Sequence, residues 1–505
     1  MSSAMRSIVV ANRVILLFAV TLAPALRAQT TAVAEAHPLS AARTLFKQGR
    51  FREASSSYRT LIEKIPSPEA YSGLVQSLLK LDDVKAAAES SKQALAAVPG
   101  SAIIHAARGD VEFRQGLIPE AEEEYKAALK LDEKCARAWL GQGKVDAVFA
   151  RRSEAKTAIA KAHELDPDDG DALYEWALRQ PYPENVASLE KHLAEFRNDE
   201  ETERHEREYK EFIKALAGRN VWVPAREVER TEIKLELLTI GTSMAHRGYG
   251  MRVRLNDHAI VTLLLDTGSS GVIITRKLAE KIGARKLSEY ALEGVGKNGA
   301  SVGYKAWVDK VVIGDLEFHD CFVHATPREI AHVDGTIGTD VFAKYQVTVD
   351  FPGHKLRLDP LPAAPSTGAT SVPDSLTQAF NFGHLLLLPT DIGKKASGLF
   401  VLDSGANANT ISPELAKSMP EMRLINTPVS GASGVVNSAF IADDATLRFA
   451  GVRKTGERIS TVDLRSVSKD LGIEISGQIG FSALEEMKVL INYRNGLVGF
   501  VSKGR

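Results

Sequence analysis

This chain has little of what metal, disulfide or nucleotide chemistry needs. Its 505 residues contain two cysteines, Cys135 and Cys321. They stand far apart, which argues against a disulfide framework. The twelve histidines form no H-E-x-x-H pair and no Cys/His cluster with metal-ligand spacing, so no metal is expected. G-x-S-x-G and G-x-x-x-x-G-K-S/T are both missing, which removes the nucleophile elbow and the phosphate loop. The sequence asks for no cofactor. Neither charge sign is in excess, with a net charge of −1 and a pI near 6.9. That balance gives no reason to expect nucleic acid or an anionic membrane surface as partner. Beyond the first 28 residues, no apolar run approaches the roughly 20 residues that a bilayer span needs.

What is present begins with a secretory pattern over residues 1–28. Arg6 and Arg13 make a basic start, and Val14 to Ala23 is apolar apart from Thr21. Ala23-Pro24-Ala25 and Ala28 offer small-residue cleavage sites. The expectation is export to a periplasmic or secreted location, with no stable membrane span after cleavage; an uncleaved anchor is the alternative.

Residues 38–180 read as helical repeats. Ala54, Ala87, Ala121 and Ala155 recur at 33 or 34 positions, and Pro66, Pro99 and Pro167 keep the register. Small residues let helices cross closely, and proline ends a helix. The period resembles that of tetratricopeptide repeats, which implies a concave face for a protein partner or substrate. Residues 181–220 carry dense charge of both signs at helical spacing and read as a charged helical linker. Near Val221 the pattern changes to strands and turns. This switch suggests a β-rich part that folds without residues 1–220.

The β-rich part contains one motif twice. Leu263-Leu264-Leu265 runs into Asp266-Thr267-Gly268-Ser269, and Phe400-Val401-Leu402 runs into Asp403-Ser404-Gly405-Ala406. The lag is 137 positions. It also aligns Thr275 with Ser412 as helix N-caps, and Gly294 with Gly431. Further on the lag becomes 142: Gly335-Thr336-Ile337-Gly338 matches Gly477-Gln478-Ile479-Gly480, and Val347 to Phe351 matches Val489 to Tyr493. Two diverged copies of one unit explain this, one over 221–362 and the other over 371–505.

The order of strand, Asp-(Thr/Ser)-Gly-(Ser/Ala), glycine-containing segment and apolar-Ile-Gly resembles one lobe of the retropepsin and pepsin-like aspartic proteases. Its repetition is similar to the two-lobed pepsin type. The fold class so implied is multidomain: an N-terminal all-α solenoid of tetratricopeptide type, followed by all-β, double-lobed acid-protease-like barrels. The resemblance implies an exported aspartic endopeptidase acting on a protein or peptide. Asp266 and Asp403 would be catalytic, sharing one proton because two carboxylates at close range do not both ionise. Thr267 and Ser404 would lock the two turns together. Gly268 and Gly405 would let backbone approach the carboxylates, and Ser269 would hydrogen-bond Asp266. Ala406 lacks the hydroxyl, so the two halves are expected to be unequal. Gly294 and Gly296, with Gly431 and Gly434, are candidates for two flap tips; ordinary glycine-rich loops are the alternative. A second reading keeps the same fold as a non-catalytic binding or scaffolding protein with degenerate lobes.

Overall fold

The computed structural model describes residues 38–239, 247–292, 301–327, 333–362, 376–394, 396–419, 422–425, 429–431, 434–436 and 439–502. The secretory pattern of residues 1–28 and the proline-rich stretch after Pro362 lie outside these.

Helices occupy the chain from residue 38 to Leu216. Antiparallel pairs stack in sequence, from Phe51–Lys64 with Pro68–Lys80 to Ala136–Val148 with Arg152–Leu165. The recurring alanines Ala54, Ala87, Ala121 and Ala155 are buried where these helices cross. Gly141 and Gly109 serve the same end. A methyl on either would stand within 2.7 Å of the Tyr125 ring. The charged stretch forms two further helices, Glu184–Glu195 and Glu200–Leu216. The array curls until its first helix meets the link between them, where Arg197 N donates to Lys47 O at 2.9 Å, and until Lys80 Nζ at the end of Pro68–Lys80 pairs with Asp171 of Gly170–Ala177 at 2.8 Å. Between the two ends lies a cavity of about 850 Å³, lined among others by Lys47, Lys80, Arg137, Asp171 and Phe196.

Strands begin at Val223 and build two closed six-stranded barrels. In lobe 1, Arg247–Leu255 runs antiparallel to Ala259–Leu265, which lies parallel to Gly335–Ile337. That short strand is antiparallel to Val272–Thr275, which lies parallel to Leu316–Thr326. Ser301–Ile313 pairs with Leu316–Thr326 and with Arg247–Leu255, closing the ring. Lobe 2 repeats the order and every direction with Leu385–Ile392, Ala396–Leu402, Gly477–Ile479, Asn409–Ile411, Val452–Thr461 and Ala439–Phe449. The last two strands carry register shifts at Ala442, Ala445 and Leu447. Each shift breaks the period-two alternation there.

A six-stranded antiparallel sheet joins the lobes, three strands from each. At its centre Val347 pairs with Ile491, Thr348 with Leu490 and Val349 with Val489. Thr348 and Leu490 are equivalents at the 142-residue lag. The pairing therefore runs symmetrically about them, and a pseudo-two-fold axis passes between these two residues.

The change of periodicity near Val221 does not separate two independent bodies. Ile118, Ala121, Tyr125, Val145 and Val148 of the helical array share one apolar core with Phe380, Leu385, Leu387, Leu399 and Val401 of lobe 2. Phe149 packs edge-on against Phe380 at 5.5 Å, and Glu474 N donates to Arg114 O at 2.8 Å. Stripped of residues 1–220, lobe 2 would present this apolar face to water. That face argues against a self-sufficient β-rich fragment, because periodicity reports local structure and not what its faces cover.

Candidate active site

Each barrel delivers its aspartate in the same way. Leu263 to Leu265 and Phe400 to Leu402 are buried, lie parallel to their glycine-led strands, and end where the backbone turns. Asp266 N donates to Ile337 O at 2.9 Å and Asp403 N to Ile479 O at 3.0 Å. Behind the turns, Thr275 and Ser412 accept from Leu278 N and Leu415 N, both at 3.2 Å, and cap the short helices Arg276–Lys281 and Pro413–Ala416.

The two turns meet across the pseudo-two-fold axis. Thr267 N donates to Ser404 Oγ at 3.1 Å, and Ser404 N donates to Thr267 Oγ1 at 2.9 Å. The hydroxyls donate onward in the same reciprocal manner, Thr267 Oγ1 to Leu402 O at 2.7 Å and Ser404 Oγ to Leu265 O at 3.0 Å. Every partner is the 137-residue equivalent of its counterpart. All four bonds lie in the interior, where water offers no substitute partner.

Side-chain-free backbone at Gly268 and Gly405 is what lets the carboxyls approach. A methyl on Gly268 would stand 2.8 Å from Asp403 Cγ, and one on Gly405 would stand 2.3 Å from Asp266 Cγ. Each glycine thus packs against the carboxyl of the other lobe. Gly268 N donates to Asp266 Oδ1 at 2.8 Å, and Gly405 N and Ala406 N donate to Asp403 Oδ1 at 3.0 and 2.9 Å. Ser269 Oγ donates to Asp266 Oδ2 at 2.5 Å and receives Thr336 Oγ1 at 3.2 Å.

Burial, first, and the charge of Asp266, second, hold the Asp403 carboxyl far above the usual range, up to about 8. Two carboxyls this close do not both ionise, so Asp403 keeps its proton into the neutral range. Both aspartates nevertheless keep part of their surface accessible. Two carboxyls that share one proton hold a base and an acid side by side.

Three contacts escape a reading of the sequence. Gln478 Nε2 donates to Asp403 Oδ2 at 2.6 Å. The signal was there, since Ala406 has no hydroxyl and Gln478 stands where lobe 1 has Thr336. The ring of His384 lies 3.3 Å from Gly268 O, so lobe 2 also touches the backbone of lobe 1's turn. Nothing in the sequence around His384 marks it. The helix Glu200–Leu216 reaches both lobes. Lys469 of lobe 2 pairs with Asp199 at its start, while Phe212 packs on Phe322 of lobe 1 at 4.9 Å. The hairpin Arg285–Leu292 with Ser301–Ile313 pairs out to Leu292 and Ser301; its tip, with Gly294 and Gly296, lies outside the described residues. Gly431 and Gly434 face each other in a short hairpin, Val429–Gly431 with Gly434–Val436. No group of residues with metal-ligand geometry occurs among the described residues.

Residues 251–341 match the family model of aspartyl proteases, within lobe 1, and residues 39–102 and 106–148 match that of tetratricopeptide repeats. The chain carries an aspartyl-protease-like domain behind tetratricopeptide repeats. Among solved structures, it is similar to an aspartic proteinase from Irpex lacteus, at 13% identity and a TM-score of 0.35, over 55% of this chain and 98% of the other. It is also similar to a thermophilic TPR protein of Thermus thermophilus, at 24% identity and a TM-score of 0.27, over 32% of this chain and 91% of the other. No curated protein matches.

Proposed function

We propose that this protein is an aspartic endopeptidase that hydrolyses peptide bonds with a water activated between Asp266 and Asp403. The observation that carries the reading is the reciprocal lock of Thr267 and Ser404, which faces the two carboxyls across one axis within a single chain. The ionised carboxylate takes a proton from water as the water oxygen attacks the peptide carbonyl carbon. The protonated carboxyl gives its proton to the carbonyl oxygen. Collapse of the tetrahedral gem-diol breaks the C–N bond: the leaving nitrogen takes the proton held by the first carboxyl, and one diol hydroxyl returns its proton to the second carboxylate.

The repeat array belongs to the same proposal as the element that holds a protein partner or substrate. Export under the pattern of residues 1–28 is likewise part of it. No helix among the described residues is long and apolar enough to cross a membrane. A scaffolding protein would have little use for a proton-sharing carboxyl pair, whose burial is costly in the absence of a task. The test is cleavage of a denatured protein by the full chain, with and without a statine-type transition-state analogue. Cleavage that the analogue stops supports the peptidase. Absence of cleavage by a folded chain between pH 3 and pH 8 would return the protein to the scaffolding reading.

A further inference from the structure

We propose that Gln478 is the positioning residue for Asp403, doing with an amide what Ser269 and Thr336 do for Asp266 with hydroxyls. The proposal rests on the reading of Asp266 and Asp403 as the catalytic pair and deepens it.

At the 142-residue lag, Gln478 takes the place of Thr336, and both sit in the middle of a glycine-led strand beside the aspartate-bearing strand. In lobe 1 the Thr336 side chain is short, so it reaches Asp266 only through Ser269. In lobe 2 the intermediary is missing, because Ala406 stands at the place of Ser269. The glutamine side chain is longer and spans the gap alone, with Nε2 at 2.6 Å from Asp403 Oδ2. Its orientation is set from the far side: Thr410 Oγ1 donates to Gln478 Oε1 at 2.8 Å. An oxygen fixed toward Thr410 leaves the NH2 facing the carboxylate.

The replacement is not chemically neutral. A serine hydroxyl donates to a carboxylate and can turn to accept from a carboxylic acid, so it serves either protonation state. An amide N–H only donates. Gln478 therefore favours an unprotonated Oδ2 and opposes, from that oxygen, the upward shift that burial and Asp266 impose on Asp403. The charged group facing Asp403 is Asp266 across the axis. Glu457, on the neighbouring strand of lobe 2, is engaged by Asn409 Nδ2 at 2.7 Å. The two lobes thus hold two similar carboxyls in different company, one beside a reversible partner and one beside a fixed donor.

The test uses the full chain with Gln478→Met, which keeps the length and removes the donor, and the double variant Gln478→Thr with Ala406→Ser, which transplants lobe 1's pair into lobe 2. Loss of one hydrogen bond to a charged group lowers kcat by roughly tenfold to a hundredfold in Gln478→Met, with KM little changed. The upper limb of the pH profile moves up by about one unit. The transplant recovers most of kcat. A second readout needs no catalysis: the pH at which thermal stability falls on the alkaline side, recorded for wild type and both variants. Removing the donor moves that midpoint upward, and the transplant, whose hydroxyl serves either protonation state, moves it only part of the way back. If the wild type does not cleave but the midpoint moves as stated, the peptidase reading fails and the role of Gln478 stands. An unmoved midpoint in folded Gln478→Met, or a transplant midpoint no lower than that of Gln478→Met, overturns the role. Should Gln478→Met fail to fold, the transplant alone decides: a midpoint above that of the wild type supports the role, and one equal to it overturns it.

Discussion

In lobe 1 the outer oxygen of the aspartate meets a hydroxyl, Ser269, backed by Thr336; in lobe 2 it meets an amide, Gln478, backed by Thr410. The outer faces of the barrels differ as well. Lobe 2 has Leu385, Leu387 and Leu399 where lobe 1, 137 residues earlier, has Gly248, Gly250 and Thr262. The leucines are buried against the helical array. On lobe 1, Gly250 is instead covered by Leu238, whose Cδ1 would stand 2.5 Å from a methyl there. By contrast, the two lobes agree at the axis, where Thr267 with Ser404 and Gly268 with Gly405 exchange equivalent contacts. A residue that must meet its own counterpart is held by the symmetry. A residue that meets something else follows its neighbour.

The comparison can be broken first at the carboxyls. Asp266→Asn and Asp403→Asn should each lower kcat by roughly a thousandfold or more, with the double variant little worse, because groups that act as one unit are not additive. Peptidase assays of the three variants check this. Unequal losses would mean that the lobes do not share one reaction.

Next comes the lock. Thr267→Val leaves the buried Ser404 N and Leu402 O without their partner and should destabilise the fold by about 2 to 3 kcal/mol. Ser404→Ala should cost a similar amount by denaturant unfolding, since it strips the same two kinds of bond from the other side. A large asymmetry between the two would show that the axis is less symmetric than its hydrogen bonds.

Removal of residues 1–220 uncovers the leucine face of lobe 2. The fragment should aggregate or bind a hydrophobic dye, and Leu399→Thr, which installs the residue of lobe 1, should lessen this. Light scattering of both fragments is the measurement. The same Leu399→Thr change in the full chain should weaken the docking of the array and lower the unfolding temperature.

The smallest effect concerns pH. The folded Asp403 carboxyl sits far above its unfolded value, so its contribution to stability is complete below the ordinary carboxylate range and is lost as pH rises through about 8. Activity should fall over the same interval as the pair loses its last proton. Asp403→Asn should remove this alkaline loss of stability, which calorimetry across pH 6 to 9 reads directly.

Much of this arrangement was legible in the sequence, because symmetry writes itself twice. The lag of 137 places Thr267 on Ser404, and the lag of 142 places Thr348 on Leu490; these are contacts in space as well as matches in sequence. Helix caps at Thr275 and Ser412 and the turn at Asn256-Asp257, both residues at positive φ, are local chemistry that a sequence states openly. What remained hidden depends on which surfaces meet. The leucines on lobe 2 look like ordinary strand residues until the array covers them. Gln478 looks like a polar strand residue until Ala406 leaves it the carboxylate to reach. The helix Glu200–Leu216 reads as solvated because its charges are dense, yet Phe212 and Lys469's partner Asp199 tie it to both lobes.

The central claim is that Asp266 and Asp403 make one site within one chain, and a binding titration tests it most directly. A statine-type analogue titrated into the full-length protein, with the mass measured by light scattering, should bind one molecule per chain to a monomer. Asp266→Asn and Asp403→Asn should weaken that binding equally. One molecule per two chains, with binding unchanged in Asp403→Asn, would contradict the account and place Asp266 in a symmetric dimer instead.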